Sequence, residues 1–490
     1  MLRNRWTTGP DVAPDPLAQA LHAARLIGAE PELVLHGGGN TSVKIERDGA
    51  WTLHVKGSGA DLARVAAHDY TPLALAPVRD LLRQIDLDNH AMYVALKAHQ
   101  LLSDAPRPSI ETLMHAGLPA AHVIHTHAAA ILAIANTRQG PRHLRAAFGA
   151  SAPIVAYHHS GVALARACVS AWQQAGQTLA CGLILAHHGA LTWGDSALAA
   201  YERMLDLSNR ADSYLNVHGA ALPADSGTAP TASATETLMA IARIRADASR
   251  VAGRPLIGTV RDAGAIAAFA RRSDVAAITR HGPSTPGHAI FTKRVPLVGL
   301  DVAAFAADYR RYLGGGMAVD CAPRVVLDPM FGMLALGVNK RYADISADVF
   351  AHDAAIIARA SALDQYATIG ADAMRQAELE YSGFEARVAR EFPLAGRVFV
   401  IDHALERGDA IADLLQRGAA VAAIDGRAQV QTMFDQPAFL GLPSDQDAQP
   451  HAASAAVVEA VIRAFGGVDT LDADAAWLPS FAPFLGIANA

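Results

Sequence analysis

Apolar residues recur at helical spacing over residues 14–29, PDPLAQALHAARLIGA, with a proline near the start, and this spacing predicts a helix. LVLHGGGNTSVKIE then reads as a strand, a glycine turn and a second strand ending near Glu46. WTLHVKGSGADLARV repeats the pattern with a small-residue turn at Gly57-Ser58-Gly59 and a helix start after it. Residues 89–103 carry a helical pattern, and PSIETLMHAGL starts another helix after Pro108. HVIHTHAAAILAIANT reads as a strand followed by an apolar helix, PIVAYHHSG and GLILAHHGALTWG as further strands, and Ser196 to about Val217 as a helix. The sum is a layered α/β domain over residues 1–221. LPADSGTAPTASATET, 222–237, is rich in Ala, Ser, Thr and Pro and reads as a linker or exposed loop. An α/β middle segment, 238–380, holds helix-like AGAIAAFARRS, strand-like VAAITRH, VPLVGLD and RVVLD, then GMLALG and a long helix over 344–380. Residues 396–490 open with GRVFVIDHALERGDAIADLLQRGAAVAAIDGR, a strand, turn, helix and strand, with a later helix near 453–466. No fixed-period repeat is present.

Composition narrows the function classes. The 490 residues are 51% hydrophobic and 18% charged, which sustains a packed core and excludes wholesale disorder. The formal net charge of -6 provides no basic field, so no nucleic-acid partner is expected. Neither a signal core nor a membrane-length apolar run appears, and the three cysteines, Cys168, Cys181 and Cys321, form no CxxC pair. A cytoplasmic protein with no membrane partner is the expectation. Lysine is scarce, at Lys44, Lys56, Lys97, Lys293 and Lys340, whereas nine histidines fall between His115 and His188.

His125 and His127 stand one residue apart on an expected strand, so both rings point to one face. Two imidazoles on one face are a ready pair of metal ligands, and His187 or His188, ahead of Gly189, supplies candidates for a third. Glu111 lies in a first helical turn, where an acid complements the helix dipole. Beside a cation, the same carboxylate can work as a general acid/base on carbon next to a polarised carbonyl. The turns Gly37-Gly38-Gly39-Asn40-Thr41-Ser42 and Gly57-Ser58-Gly59, with Ser109, offer backbone and side-chain donors that could hold a phosphate. Neither turn fits GxxxxGK[ST] or GxGxxG, and glycine turns are also ordinary hairpin chemistry.

With GGGNTSVK (37–44), KGSG (56–59), PSIETLMH (108–115), HVIHTHA (122–128) and LAHHGALTWG (185–194) in that order, the N-terminal 200 residues resemble the class II aldolase/adducin family. They are most similar to the bifunctional rhamnulose-1-phosphate aldolase/short-chain dehydrogenase proteins, whose middle part is also similar to RHGPSTPGHAIFTKR (280–294) and PRVVLDPMFGMLALG (323–337). The resemblance implies a class II aldolase-like α/β/α layered domain and a divalent cation, usually zinc, on His125, His127 and His188. It further implies Glu111 as the catalytic carboxylate and substrate phosphate on Asn40, Thr41, Ser42, Ser58, Gly59 and Ser109. Ser109-Ile110-Glu111 departs from the family's Ser-Ser-Glu, which removes one phosphate donor. Tyr157 falls where the family has a strand reaching the site, as a proton donor or a packing tyrosine. The implied activity is retro-aldol cleavage of a sugar or sugar phosphate, such as a ketose 1-phosphate of the rhamnulose 1-phosphate kind, without a lysine Schiff base. Epimerisation or decarboxylation on the same scaffold, or a metal-free adducin-like scaffold role, are the alternatives. A homo-oligomer, possibly a tetramer, is implied too.

Residues 396–477 resemble the first half of a short-chain dehydrogenase, with Asp425 where an acid would meet a ribose. The glycines that let backbone approach a pyrophosphate are missing. The turn reads DHALERGD, with Asp402, Glu406 and Asp409 and only Gly408. No lysine follows Lys340, so no Tyr-xxx-Lys pair is expected either. The reading is a half-Rossmann-like remnant that binds no NAD.

Overall fold

The computed structural model describes residues 1–7, 15–175, 181–220, 232–314, 320–380, 384–444 and 450–485. It divides into two compact units: 1–221 with 356–369, and 222–355 with 370–490.

The first unit is built on a seven-stranded sheet. Its strands are β1 (Asn40–Arg47), β2 (Ala50–Lys56), β3 (Tyr70–Ala74), β4 (His122–Thr126), β5 (Ile154–Val155), β6 (Gly182–Leu185) and β7 (Gly189–Gly194). They lie in the order β3-β2-β1-β4-β7-β6-β5, antiparallel throughout except for the parallel β5–β6 pair. Helices α1 (Pro16–Gly28), α2 (Thr112–Gly117), α3 (Ala129–Ala135), α4 (Val162–Gln174) and α5 (Ala197–Val217) cover it. Alternation along β4 divides the helices between two cores. Ile124 joins the core of α1, α3 and α5, with Leu132 and Met204, while Val123 joins that of α2 and α4, with Leu113 and Cys168. The α/β/α layering follows from these two cores.

Several local expectations give way to tertiary pairing. Leu33–His36 is not a strand, because the carbonyls of Glu32 and Leu33 accept from Ala129 and His127 instead of a neighbouring strand. GLILAHHGALTWG is two strands joined by a turn at 186–188, not one. The long helix expected over 344–380 is two, Lys340–Leu363 and Ala371–Glu380. Between them Ala367 N–H donates to Asn136, and Gln365 accepts from Arg138, which takes the backbone out of helical bonding.

The second unit contains α6 (Ala234–Ala252), β8 (Ile257–Arg261), α7 (Val275–Thr279), β9 (Leu297–Val298), β10 (Val325–Asp328) and β11 (Gly332–Gly337). It continues with β12 (Val398–Ile401), α8 (Gly408–Gln416), β13 (Ala420–Asp425), β14 (Phe439–Pro443), α9 (Pro450–Phe465) and β15 (Thr470–Asp472). Of the stretch read as linker, 222–231 lies outside the described residues. Residues 234–237 already belong to α6, opened by a capping box between Ser233 and Glu236. VAAITRH forms helix α7 and not a strand. A five-residue apolar run is ambiguous, and the Asp274 carbonyl captures the N–H groups of Ala277 and Ile278. The two four-stranded sheets, β8-β11-β10-β9 and the all-parallel β14-β13-β12-β15, share one core through Ile257, Leu334, Val398 and Ala422. Arg245, 3% exposed, ties them further by donating to Gly396 O at 2.9 Å and Asp469 Oδ2 at 2.6 Å. Residues 238–355 and 396–490 are therefore parts of one unit. No helix among the described residues is long and apolar enough to cross a membrane.

Candidate metal centre

Strand β4 ends at Thr126, so His125 is its last inward residue on the α2 face and His127 sits just past the strand end. His125 pairs with Asn40 across β1 and with Leu191 across β7, which places it in the middle of the sheet. The β6–β7 turn brings in the third ring. Gly189 must be glycine there: its φ is +147°, and a Cβ would stand 2.0 Å from the Thr126 carbonyl oxygen. That close approach presents His188 to the site, while His187, at φ +58°, turns to Asn136 and bonds its Oδ1 at 2.8 Å.

The rings of His125, His127 and His188 have centroids 4.8–5.3 Å apart. One ligand nitrogen from each lies within 4.8 Å of the others. His125 Nδ1–H donates to the Ala190 carbonyl at 2.9 Å, which fixes the tautomer and leaves the Nε2 lone pair exposed to the cluster. That Nε2 is fully buried and has no hydrogen-bond partner among the described residues. An orphaned, deeply buried imidazole nitrogen beside two more imidazoles is a donor set suited to a divalent cation. Burial pushes the His125 ring below the usual imidazole range, which favours its ligating form.

Glu111 Oε1 lies 3.1 Å from His188 Nε2 and 3.4 Å from His125 Nε2. Glu111 caps α2 by its backbone and offers no side-chain capping bond, which frees the carboxylate for the histidines. Burial pushes its proton affinity up, but His125 and His188 outweigh that and hold it well below the usual carboxylate range. The turn before it is stitched by Ser109, whose Oγ accepts from Glu111 N–H at 3.2 Å.

The expected phosphate donors separate. Asn40 is fully buried on the His125 side, with Oδ1 taken by Thr41 N–H at 2.9 Å and Nδ2 unpartnered among the described residues. Ser58 and Gly59 are exposed in a turn held by Ser58 N–H to Arg107 O at 2.9 Å. Thr41 lies on the opposite face by strand alternation, where its hydroxyl bonds Tyr70. Ser42 faces the same way as Asn40 but one layer deeper, where its hydroxyl bonds His115. Tyr157 lies past β5, the far edge strand, and makes no hydrogen bond to Glu111 or the three histidines. Lys56, quoted in KGSG but assigned no role, is buried with Nζ donating to Gly37 O at 3.2 Å and Ala60 O at 2.7 Å, so it joins the two glycine turns. Burial brings it down to about 8. A lysine between two glycine turns in a chain with only five was the signal available in the sequence.

In the second unit, the turn after β12 spends its polar groups on itself. Asp425 Oδ2 accepts from Leu405 N–H at 3.1 Å, and its Oδ1 accepts from Arg427 N–H and Nε–H at 3.1 and 2.9 Å. Asp402 Oδ2 accepts from the Trp477 indole at 3.0 Å, and its Oδ1 from His403 N–H at 2.7 Å. Asp402, His403 and Asp474 also stand close together, but His403 Nε2 is paired with Asp474 at 3.0 Å.

Residues 18–215 match the family model described as class II aldolase and adducin N-terminal domain, and residues 234–387 match that of the aldolase class II second domain. A curated relative from Bacillus subtilis (strain 168), named uncharacterized oxidoreductase YuxG, is 28% identical over 394 residues, 73% of this chain and 56% of the relative. The chain thus spans about half the length of that relative. The solved N-terminal class II aldolase domain of a conserved protein from Thermoplasma acidophilum is 32% identical, covering 44% of this chain and all of that one, with a TM-score of 0.40. The L-fuculose-1-phosphate aldolase structure from Thermus thermophilus is 16% identical over 42% of this chain and 97% of that one, with a TM-score of 0.29.

Proposed function

The chain belongs to the class II aldolase and adducin family, and from that premise we propose that it is a divalent-metal-dependent aldolase cleaving a carbon–carbon bond of a phosphorylated ketose. The observation that supports this most is Glu111: a buried carboxylate 3.1 Å and 3.4 Å from the Nε2 atoms of two histidines that, with His127, could share one cation. His125, His127 and His188 would hold that cation, and a set of three imidazoles favours zinc. Bound there, it supplies Lewis acidity to a ketose carbonyl and stabilises the negative charge left by cleavage. Glu111 carries the proton at the carbon that cleavage leaves electron-rich. Asn40, through its unpartnered Nδ2, and the Ser58-Gly59 turn with Ser109 hold the phosphate and fix the reacting end against Glu111. Rhamnulose 1-phosphate is a first substrate to try. The C-terminal parallel sheet takes no part and binds no nicotinamide cofactor, a reading supported by its self-satisfied Asp425 and Asp402.

The test is to load the purified protein with zinc and assay it against a panel of ketose 1-phosphates and sugar-acid phosphates, following aldehyde release. Cleavage that disappears on chelation and in Glu111→Gln is expected. Epimerised or decarboxylated products would redirect the assignment within the same scaffold, and a protein that takes up no metal would point to a scaffold role.

A further inference from the structure

We propose that the buried hydrogen bond between His115 and Ser42 positions the catalytic carboxylate, so that His115 is a positioning residue for the cleavage reaction. The inference rests on the aldolase reading above. Helix α2 has only six residues, too short to hold its own place, and Glu111 at its start makes no side-chain capping bond. Its attitude therefore depends on tertiary anchors. Its last carbonyls are held by Arg79, whose Nε donates to Ala116 O at 2.8 Å. On its inner side the anchor is His115.

His115 lies one helical turn beyond Glu111, its N–H donating to the Glu111 carbonyl at 3.2 Å, so both side chains leave the same face of the helix. Ser42 lies two residues beyond Asn40 on β1, so both of those leave the same face of the strand. The His115 Nδ1···Ser42 Oγ bond, 2.8 Å long, thus joins the face of α2 that carries Glu111 to the face of β1 that carries Asn40. It ties the element carrying the proton-transfer group to the element carrying the anion-binding amide. Both partners are sequestered, at 0% and 1% exposure. The other ring nitrogen of His115 has no partner among the described residues. Leaving a polar atom buried and unpaired is costly, and an apolar side chain of similar volume would fill the space without that cost. The directional bond to Ser42 is what a leucine would not provide. Burial holds the ring neutral, which keeps the bond intact across the working pH range.

The experiment compares zinc-loaded His115→Leu, His115→Asn, Ser42→Ala and the double variant His115→Leu/Ser42→Ala. Asparagine keeps an amide near the position of Nδ1, whereas leucine keeps only the volume. Displacement of a reacting group by about 1 Å costs on the order of 100-fold. His115→Leu and Ser42→Ala should therefore each lower kcat by roughly 10- to 100-fold, with KM and bound zinc unchanged. The double variant should be no worse than the worse single one, and His115→Asn should recover most of the rate. A His115→Leu enzyme with wild-type kcat, or losses that multiply in the double variant, would overturn the proposal. If His115→Leu does not fold, Ser42→Ala and His115→Asn make the same comparison. The cobalt(II) absorption spectrum provides a readout independent of turnover: Glu111→Gln, His115→Leu and Ser42→Ala should perturb it alike, and His115→Asn should leave it as in the wild type. A wild type that cleaves nothing defeats the aldolase reading alone. The spectrum still decides on His115, since an unchanged spectrum in His115→Leu and Ser42→Ala counts against its positioning role.

Discussion

Two polar centres sit at strand ends in this molecule, and they treat their own atoms oppositely. The centre around His125 leaves His125 Nε2 and Asn40 Nδ2 without hydrogen-bond partners among the described residues although both are buried. The centre around Asp425 satisfies its carboxylates internally, with Leu405 N–H, Arg427 and the Trp477 indole. Buried polar atoms without partners cost stability, and a fold keeps them where a ligand supplies the missing partner. A satisfied centre offers an incoming ligand no unused donors. Both centres resemble known sites, but among the described residues the first keeps buried polar atoms open and the second spends its carboxylates on its own donors.

The largest effect that bears on this contrast is His125→Ala. Metal analysis should show loss of the bound cation, and cleavage should vanish with it; activity that survives means the open centre has been misplaced. Next, Glu111→Gln should keep the metal while kcat falls about 10²- to 10⁴-fold, the range for a positioned acid/base group, as steady-state kinetics will show. Asn40→Ala removes one donor to a charged ligand, worth about 1.5–3 kcal/mol, so KM for the phosphorylated ketose should rise by roughly tenfold or more. In the satisfied centre, Asp425→Ala should act on folding and not on catalysis. Loss of the acceptor for Leu405 should cost about 1–3 kcal/mol in denaturant unfolding of the second unit, with kcat unchanged. An NAD titration by fluorescence should show no saturable binding, and micromolar affinity would refute the contrast.

Titration sharpens the difference in a smaller way. Burial pushes His115 down to about 3 and His122 to about 4, so both fold as neutral rings. For these groups the folded value lies below the unfolded one. Their contribution is complete above pH 6.5 and is lost as pH falls from there towards 4. Glu378 of the second unit is shifted the other way, up to about 7, mainly by burial. Its contribution is complete below the ordinary carboxylate value and is lost as pH rises through about 7. Acid should therefore weaken the first unit, and Glu378→Gln should stabilise the second above neutrality. Thermal melts from about pH 5 to 8 check both signs.

Much of the first unit was legible because its signals are local. The HxH pair at the end of β4, the histidine before Gly189 and the glycine turn carrying Asn40 are all properties of short segments. What short segments leave open is which way neighbouring side chains are spent. Thr41 and Ser42 were grouped with Asn40 because they share its turn, yet alternation sends one to Tyr70 and depth gives the other to His115. His115 itself carried no distinguishing mark among nine clustered histidines.

The chain by itself determined residue type and short-range periodicity: a layered α/β first unit, three candidate ligands, an acid nearby, and a dinucleotide-like turn stripped of its glycines. Tertiary structure decided which of those groups face one another and which are already spent, since a hydrogen bond to a residue 73 positions away leaves no trace in local sequence. It also decided that residues 238–355 and 396–490 share one core and that 356–369 belong with the first unit. Burial and pairing are sums over distant segments, and it is those sums that separate an open site from a closed one.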